Sequence, residues 1–464
     1  MLPPALAFDA DLLRRYDRPG PRYTSYPTAP QFDAAFGDAQ LREAIADSNG
    51  DPIPRRLSLY VHVPFCLSPC FYCGCNRTIT RDTSRAEPYL AHLQREIAAI
   101  GPLFDRDRSV VQLHFGGGTP NFLNPAQLRR TVETLRRRFS FSDAHDRDIS
   151  IELDPRTVSP ADIGELARAG FNRASLGVQD FDPEVQRAVN RVQGVEQTRA
   201  VIDACREHGL RSVNVDLIYG LPKQTLAGFG RTLDTVIAMR PGRLAVYSYA
   251  HLPDTFKAQR QLNAEDLPSA DTKLALLRTA IERLTDAGYV YIGMDHFALP
   301  DDALALAQQR GSLHRNFMGY TTHADSDLIG LGVSAIAHIR DSFSQNPRDL
   351  PGWQRALDEG RLPVFRGMRM SEDDLIRADL IQQLMCQADI PIAALERRYG
   401  IDFDRYFAED LERLRPLQDD GLVFKARERI RVTARGRLLL RNIAMCFDRY
   451  LQRPNQAPRF SRAI

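Results

Sequence analysis

Leu57-Ser58-Leu59-Tyr60-Val61-His62-Val63-Pro64-Phe65-Cys66-Leu67-Ser68-Pro69-Cys70-Phe71-Tyr72-Cys73-Gly74-Cys75 is the stretch on which the fold turns. Its first half alternates apolar Leu59, Val61 and Val63 with Tyr60 and His62, the period of a strand with two unlike faces. Its second half places four of the chain's seven cysteines within ten residues. Thiolates so crowded are a ligand set for zinc or for an iron–sulfur cluster. The spacing is C-x3-C-x2-C-x-C. A structural zinc site usually clamps two segments through a second Cys or His pair well downstream, and none follows here. Cys205, Cys386 and Cys446 lie in apolar helical contexts and read as core. The odd count argues against a disulfide framework.

Outward from Leu57 the pattern repeats as strand, loop, helix. Strands are predicted at 57–63, 110–115, 148–153, 172–177, 211–217 and 243–249. Helices are predicted between them at 86–100, 125–139, 160–169, 194–208 and 225–239. That alternation implies parallel βα units with right-handed crossovers. The fold class is therefore α/β: a partial (open) parallel β/α barrel of about six units, with an N-terminal arm and a mainly helical C-terminal domain. The segments are 1–52 (arm), 53–348 (barrel) and 349–464 (helical, winged-helix-like). Residues 270–288 and 325–340 read as helix-rich elements closing the barrel. In the last segment, 375–386 and 392–399 read as helices, 422–424 and 430–432 as a hairpin, and Gly436 to Tyr450 as a final amphipathic helix.

The strands share a polar face. Gln112 and His114, Ser150 and Glu152, Asn214 and Asp216, Tyr247 and Tyr249 all alternate with apolar residues. A purely structural barrel is filled by branched apolar side chains; a polar lumen implies a large binding cavity. Gly116-Gly117-Gly118-Thr119-Pro120 ends the second strand and lets backbone approach a ligand closely. Glu152, Gln179, Arg191 and Asp216 fall on or just beyond successive strand ends. Carboxylates suit ribose hydroxyls and an ammonium group, and Arg191 suits a carboxylate.

The formal charge of +2 over 464 residues gives no whole-chain case for nucleic acid or an anionic membrane. No apolar run approaches the roughly 20 residues of a membrane span. Met1 to Arg14 lacks a signal-peptide core. The expectation is a cytoplasmic protein. The basic stretch Lys425 to Arg441 follows acidic residues and lacks evident stacking aromatics, so it reads as a solvated face rather than a nucleic-acid surface.

Tyr60 to Cys66, the cysteine spacing and Gly116-Gly117-Gly118-Thr119-Pro120 together resemble the radical S-adenosylmethionine family. More narrowly, the chain resembles its oxygen-independent coproporphyrinogen III oxidases of haem synthesis. Arg22-Tyr23-Thr24-Ser25-Tyr26-Pro27-Thr28-Ala29, Cys73-Gly74-Cys75-Asn76, Arg315-Asn316-Phe317 with Gly319-Tyr320-Thr321-Thr322, and Asp373-Asp374-Leu375-Ile376-Arg377 carry that narrower likeness. His314 and Met318 depart from the pattern. The resemblance implies a monomer with a 4Fe–4S cluster held by Cys66, Cys70 and Cys73, its fourth iron open to S-adenosylmethionine. Cys75 as a fourth ligand would close that iron, so Cys75 is assigned with His62 and Tyr60 to the catalytic surroundings. The resemblance also implies two S-adenosylmethionine sites. The first involves Tyr60, Tyr72, Gly117, Glu152 and Ile336. The second involves Gly118, Thr119, Gln179, Arg191, Asp216 and Ala250. Arg22, Arg315 and Arg366 are candidates for the substrate carboxylates. The implied reaction converts two propionates of coproporphyrinogen III to vinyl groups, giving protoporphyrinogen IX, with an electron donor such as flavodoxin or ferredoxin. A non-enzymatic haem chaperone on the same barrel is the alternative; such chaperones typically lack the fourth cysteine and the extended arm.

Overall fold

The computed structural model describes residues 6–452 and 460–462. Residues 1–5 of the expected arm, and 453–459 and 463–464 of the expected C-terminal segment, lie outside the described residues. Two compact units result, each assembled from separated runs. One comprises Phe32–Leu276 and Asp325–Arg369; the other comprises the described residues of Met1–Gln31, Leu277–Ala324 and Met370–Ile464.

The first unit is the barrel. Its parallel strands are β1 (Arg56–Val63), β2 (Ser109–Gly117), β3 (Asp148–Leu153), β4 (Arg173–Gln179), β5 (Ser212–Tyr219) and β6 (Arg243–Ser248). All six follow the predicted runs. They are joined in the order β6-β5-β4-β3-β2-β1, and β1 pairs on its other side with a seventh parallel strand, β7 (Ser326–Leu331). From β7 the chain folds back through β8 (Ile336–Ile339), β9 (Ser342–Gln345) and β10 (Arg366–Arg369), an antiparallel extension of the sheet.

The expectation that 325–340 is helix-rich is thus corrected: it is two strands. Gly330 lies against the Ile336 backbone, closer than any Cβ would allow. Glycine also disfavours helix, and a short apolar run cannot be told apart from a buried strand by periodicity. The helix expected in 270–288 is present as Ala270–Asp286.

The crossover helices pack apolar stripes on the sheet and carry their own start and stop signals. In Pro125–Arg138 a capping box joins Asn124 and Gln127, and Leu128, Val132 and Leu135 are buried. In Pro160–Ala169 Ser159 and Asp162 form the box, and Gly170 at φ 102° ends the helix. The opposite face of the sheet is polar, as expected. His114 Nδ1 meets the Ser150 hydroxyl at 2.7 Å, and Asn214 donates to Ser175 and Asp216, each at 2.8 Å. Register sets this up, placing Tyr60 beside His114 and His114 beside Ser150.

The second unit contains helices Glu372–Gln387, Ile392–Tyr399 and Ala408–Asp419. Its three-stranded sheet places Arg429–Val432 between Asp389–Pro391 and Val423–Lys425. Arg377 is buried, and its guanidinium joins Asp373, Asp410 and the Phe447 carbonyl. The predicted helix over Gly436 to Tyr450 is corrected. It is broken into Arg437–Leu439, Leu440–Met445 and Arg449–Gln452. Its polar residues face inward and bind backbone: Arg441 donates to Gly20 and Pro21 carbonyls, and Asn442 donates to Tyr16 O at 2.6 Å. Residues 440–444 are all buried, so no solvated face exists.

Candidate functional site

The site begins where β1 and β2 end together, with Val63 beside Gly117. Two glycines of the turn are forced by their neighbours. Gly117 has φ 118°, and a Cβ there would lie 2.7 Å from the His62 ring. At Gly118 a Cβ would lie 2.8 Å from the Pro64 carbonyl carbon. The turn then runs alongside the cysteine loop: Gly118 N–H donates to Val63 O at 2.8 Å and Thr119 N–H to Phe65 O at 2.9 Å.

The cysteine loop has little secondary structure of its own and is pinned from several sides. Phe71 N–H donates to Val189 O, and Asn190 Nδ2 donates to Pro69 O at 2.8 Å. Gln259 Nε2 reaches both Tyr72 O (3.0 Å) and Ala250 O (3.1 Å). Most of all, the single guanidinium of Arg77 donates to the carbonyls of Cys70, Cys73 and Cys75 at 3.3–3.4 Å. Arg77→Ala should therefore leave the barrel folded but lower the iron and sulfide retained per chain after reconstitution. Arg77→Lys, which keeps a donor and the charge, should lose less. Equal iron content in wild type and Arg77→Ala would refute that role.

Above this loop lies a cavity of about 430 Å³. It is lined by Cys66, Cys70, Cys73 and Cys75 together with Glu152, Asp154, Gln179, Arg191, Asp216 and Tyr247. Among the described residues, no three His, Cys, Asp or Glu side chains converge as ligands of a single metal ion. Cys66, Cys70 and Cys73 all line this one cavity, where each thiolate could take one iron of a cluster. Each of the three expected ligand sulfurs has its own donor. Thr119 Oγ1 donates to Cys66 Sγ at 3.2 Å, Arg191 Nη1 to Cys70 Sγ at 3.4 Å, and the Cys75 N–H to Cys73 Sγ at 3.4 Å. Cys73 is brought down to about 6, chiefly by a hydrogen bond from the Cys75 thiol, which itself holds its proton well above the usual thiol range. Burial pushes Cys66 up to about 11.

Three buried polar atoms of residues lining this cavity have no partner among the described residues: Arg77 Nε and Arg191 Nε, both donors, and Gln179 Oε1, an acceptor. Arg191 is otherwise fully engaged, with Asp154 at 3.3 Å and the Gly177 carbonyl. Gln179 is held at φ 71°. Unpaired groups in such a place are what a polar ligand satisfies.

Asp216 is raised to about 7, first by burial and then by the nearby Glu152, against hydrogen bonds from Asn214 and Ser175. Between the ordinary carboxylate value and about 7 the folded protein holds a proton that the unfolded chain has released. Its stability therefore falls as pH rises through that window. In the cofactor-free protein, Asp216→Asn should gain in Tm over wild type from pH ~5 to ~7 and hold a constant lead above it. A gap that does not change with pH would refute the shift.

The structure gathers Tyr72, Gly117, Gly118, Thr119, Glu152, Gln179, Arg191 and Asp216 with the cysteines around one cavity. Tyr60 and His62 do not line it. They sit beneath the glycine turn, with Tyr60 Oη 3.1 Å from His62 Nδ1 and His62 Nε2 3.0 Å from Asn76 O. That pairing makes Nε2–H the donor to the carbonyl, and burial lowers the His62 pKa, keeping the ring neutral. Ala250 is tied to the loop through Gln259, and Ile336 packs at Gly330. None of the three candidate substrate arginines lines the cavity. In the barrel unit, Arg366 Nε donates to Gln345 Oε1 at 2.8 Å. In the second unit, Arg22 pairs with Asp295. Arg315, also there, is buried over the Tyr320 ring with Nε and Nη1 unpaired. Sequence inspection missed Arg77, Arg156 and Gln259. Only their nearness to the cysteine run or to a strand end could have pointed to the first two, and nothing local marks Gln259.

Residues 60–236 match the Radical SAM superfamily, and residues 370–439 match the HemN C-terminal domain. An oxygen-independent coproporphyrinogen III oxidase of Pseudomonas aeruginosa is 52% identical over 462 residues, covering 99% of each chain. The chain belongs to the oxygen-independent coproporphyrinogen III oxidases. The family's Escherichia coli K12 member is 49% identical over 98% of each chain. The solved structure of coproporphyrinogen III oxidase (HemN) from Escherichia coli, described there as a radical SAM enzyme, superposes with a TM-score of 0.91 at 48% identity. It covers 96% of this chain and 100% of that one. The family's cofactors are a 4Fe–4S cluster and S-adenosylmethionine, and the thiol set and unpaired atoms described above fit both. Among the described residues no helix is long and apolar enough to cross a membrane.

Proposed function

We propose that this cavity drives the oxidative decarboxylation of coproporphyrinogen III to protoporphyrinogen IX, with Cys66, Cys70 and Cys73 as the cluster ligands. The observation that carries it is the set of three cavity thiols, each with its own hydrogen-bond donor, facing unpaired Arg191 Nε and Gln179 Oε1. When bound, the cluster and S-adenosylmethionine supply an electron and a 5′-deoxyadenosyl radical that takes a hydrogen from the β-carbon of a substrate propionate. The chain's own residues bind and orient. Tyr72, Gly117 and Glu152, with Ile336, are assigned to one S-adenosylmethionine; Gly118, Thr119, Gln179, Arg191 and Asp216, with Ala250, to a second. Glu152 accepts from Gly117 N–H at 3.2 Å, which fixes the carboxylate at the turn. Of the three residues assigned to the reacting groups, Cys75 faces the cavity and can hand on a hydrogen or proton. Tyr60 and His62 position the turn. Arg22, Arg315 and Arg366 remain the substrate-carboxylate candidates. The reading includes a monomer in the cytoplasm that takes its electron from a carrier such as flavodoxin or ferredoxin.

The test is an anaerobic assay of reconstituted protein with dithionite, S-adenosylmethionine and coproporphyrinogen III. Protoporphyrin together with 5′-deoxyadenosine is expected. Neither product from protein with a full cluster would overturn the proposal, and tight haem binding in that case would favour a chaperone.

A further inference from the structure

The cysteine loop is covered on one side by a ribbon of chain that the proposed reaction does not use. Phe65-Cys66 pairs in parallel with Thr78-Ile79, placing Cys66 beside Ile79, and Thr80 N–H donates to Cys66 O at 2.9 Å. Ile79 is nevertheless 40% exposed. Arg81 and Arg85 follow it, both exposed, and Asn76 donates to the carbonyl of Arg348, also exposed, at 2.8 Å. Among the described residues Arg81, Arg85 and Arg348 form no ion pair, although most other arginines of the barrel do. The one acid in the ribbon, Asp82, accepts locally from Ser84. Asp82 also attracts Arg85 electrostatically, and the exposed Ile79, with Arg81 and Arg85 on the same ribbon, lies one hydrogen bond from the backbone of a cluster ligand.

We infer that the surface of Ile79, Arg81, Arg85 and Arg348 is the docking site for an acidic one-electron carrier protein. The inference rests on the radical S-adenosylmethionine reading, which requires an electron to enter from solution. The carrier loses one electron to the cluster, and no bond forms or breaks on docking. The ribbon offers a short route: from Ile79 and Thr80 through the Thr80 N–H to the Cys66 carbonyl. Ile79 supplies the dry centre of an interface, and the arginines supply a rim that steers an acidic partner and is weakened by salt.

The probe is reduced flavodoxin, with dithionite as the small-molecule control. 5′-Deoxyadenosine formation is followed in the reconstituted full chain. With flavodoxin, the wild-type rate should fall steeply between low and high salt, and R81E/R85E should be slower at low salt by about tenfold or more. With dithionite, both proteins should run equally with equal iron content. A flavodoxin-driven rate that is flat in salt, or unchanged in R81E/R85E, overturns the inference. Should R81E/R85E protein hold less cluster, Arg348→Glu on a separate segment gives the same comparison. If dithionite itself yields no 5′-deoxyadenosine from wild type with a full cluster, the proposed function fails instead. Salt-sensitive binding of flavodoxin, lost in R81E/R85E, still decides the docking surface.

Discussion

Serine at Cys66, Cys70 or Cys73 should give folded protein with no functional cluster, no 5′-deoxyadenosine and no protoporphyrin. The change is nearly isosteric. What it removes is a soft sulfur ligand, replaced by a hard hydroxyl that iron–sulfur clusters rarely accept. The remaining two thiols cannot compensate, because the loop that carries them is pinned at Val189, Asn190, Gln259 and Arg77 and cannot re-form around fewer ligands. Cys75→Ser is the contrast. It should keep iron, sulfide and visible absorption near wild type while altering turnover. Serine at Cys205, Cys386 or Cys446, all buried away from the cavity lining, should leave cluster content untouched. Iron counts per chain read each case, and a wild-type-like cluster in any of the three ligand variants would refute the assignment.

The second large effect is expected for Gly118→Ala. Its Cβ would meet Pro64 C at 2.8 Å and the Pro64 and Phe65 carbonyl oxygens at 2.9 Å. These are backbone atoms of the strand end that delivers Cys66, so they can give way only by displacing that ligand. Overpacking against rigid backbone costs about 1–3 kcal/mol. Gly118→Ala should lower Tm, retain less iron and bind S-adenosylmethionine more weakly. Gly116→Ala meets side chains instead, Glu152 Oε1 at 3.0 Å and His114 and Tyr60 at 3.1 Å, which can rotate. Its effect should be the milder of the two. Equal Tm and iron content in Gly118→Ala and wild type would show that the close approach is not required.

What the sequence made legible follows from periodicity. The six parallel strands each bury one face among helices and turn the other to a polar lumen, so their alternation survives in one dimension. Glu152 and Asp216 were visible for the same reason. Residues 325–340 were not, because a strand buried on both sides shows an apolar run and no alternation. The segment 436–450 misled in the opposite sense, its arginines and Asn442 suggesting a wet face when they bind buried carbonyls. Arg77, Arg156 and Gln259 act through backbone oxygens or across long sequence separations. Arg156 reaches Asp154 and the Cys70 sulfur, and no spacing rule announces such contacts.

The pinning of the cysteine loop also sets an order of events in the life of the molecule. Its anchors come from Pro64, from Arg77 to Thr80, from Val189 and Asn190, and from Gln259, stretches nearly two hundred residues apart. None of them stands in place until the sheet is assembled. In small zinc modules the metal drives folding; here the apoprotein must mature first and present a finished cradle to the iron-delivery machinery. Chelation of the cluster should then leave the scaffold standing, with the apoprotein's Tm close to that of the loaded protein, and iron, sulfide and reductant should refill it in the existing chain.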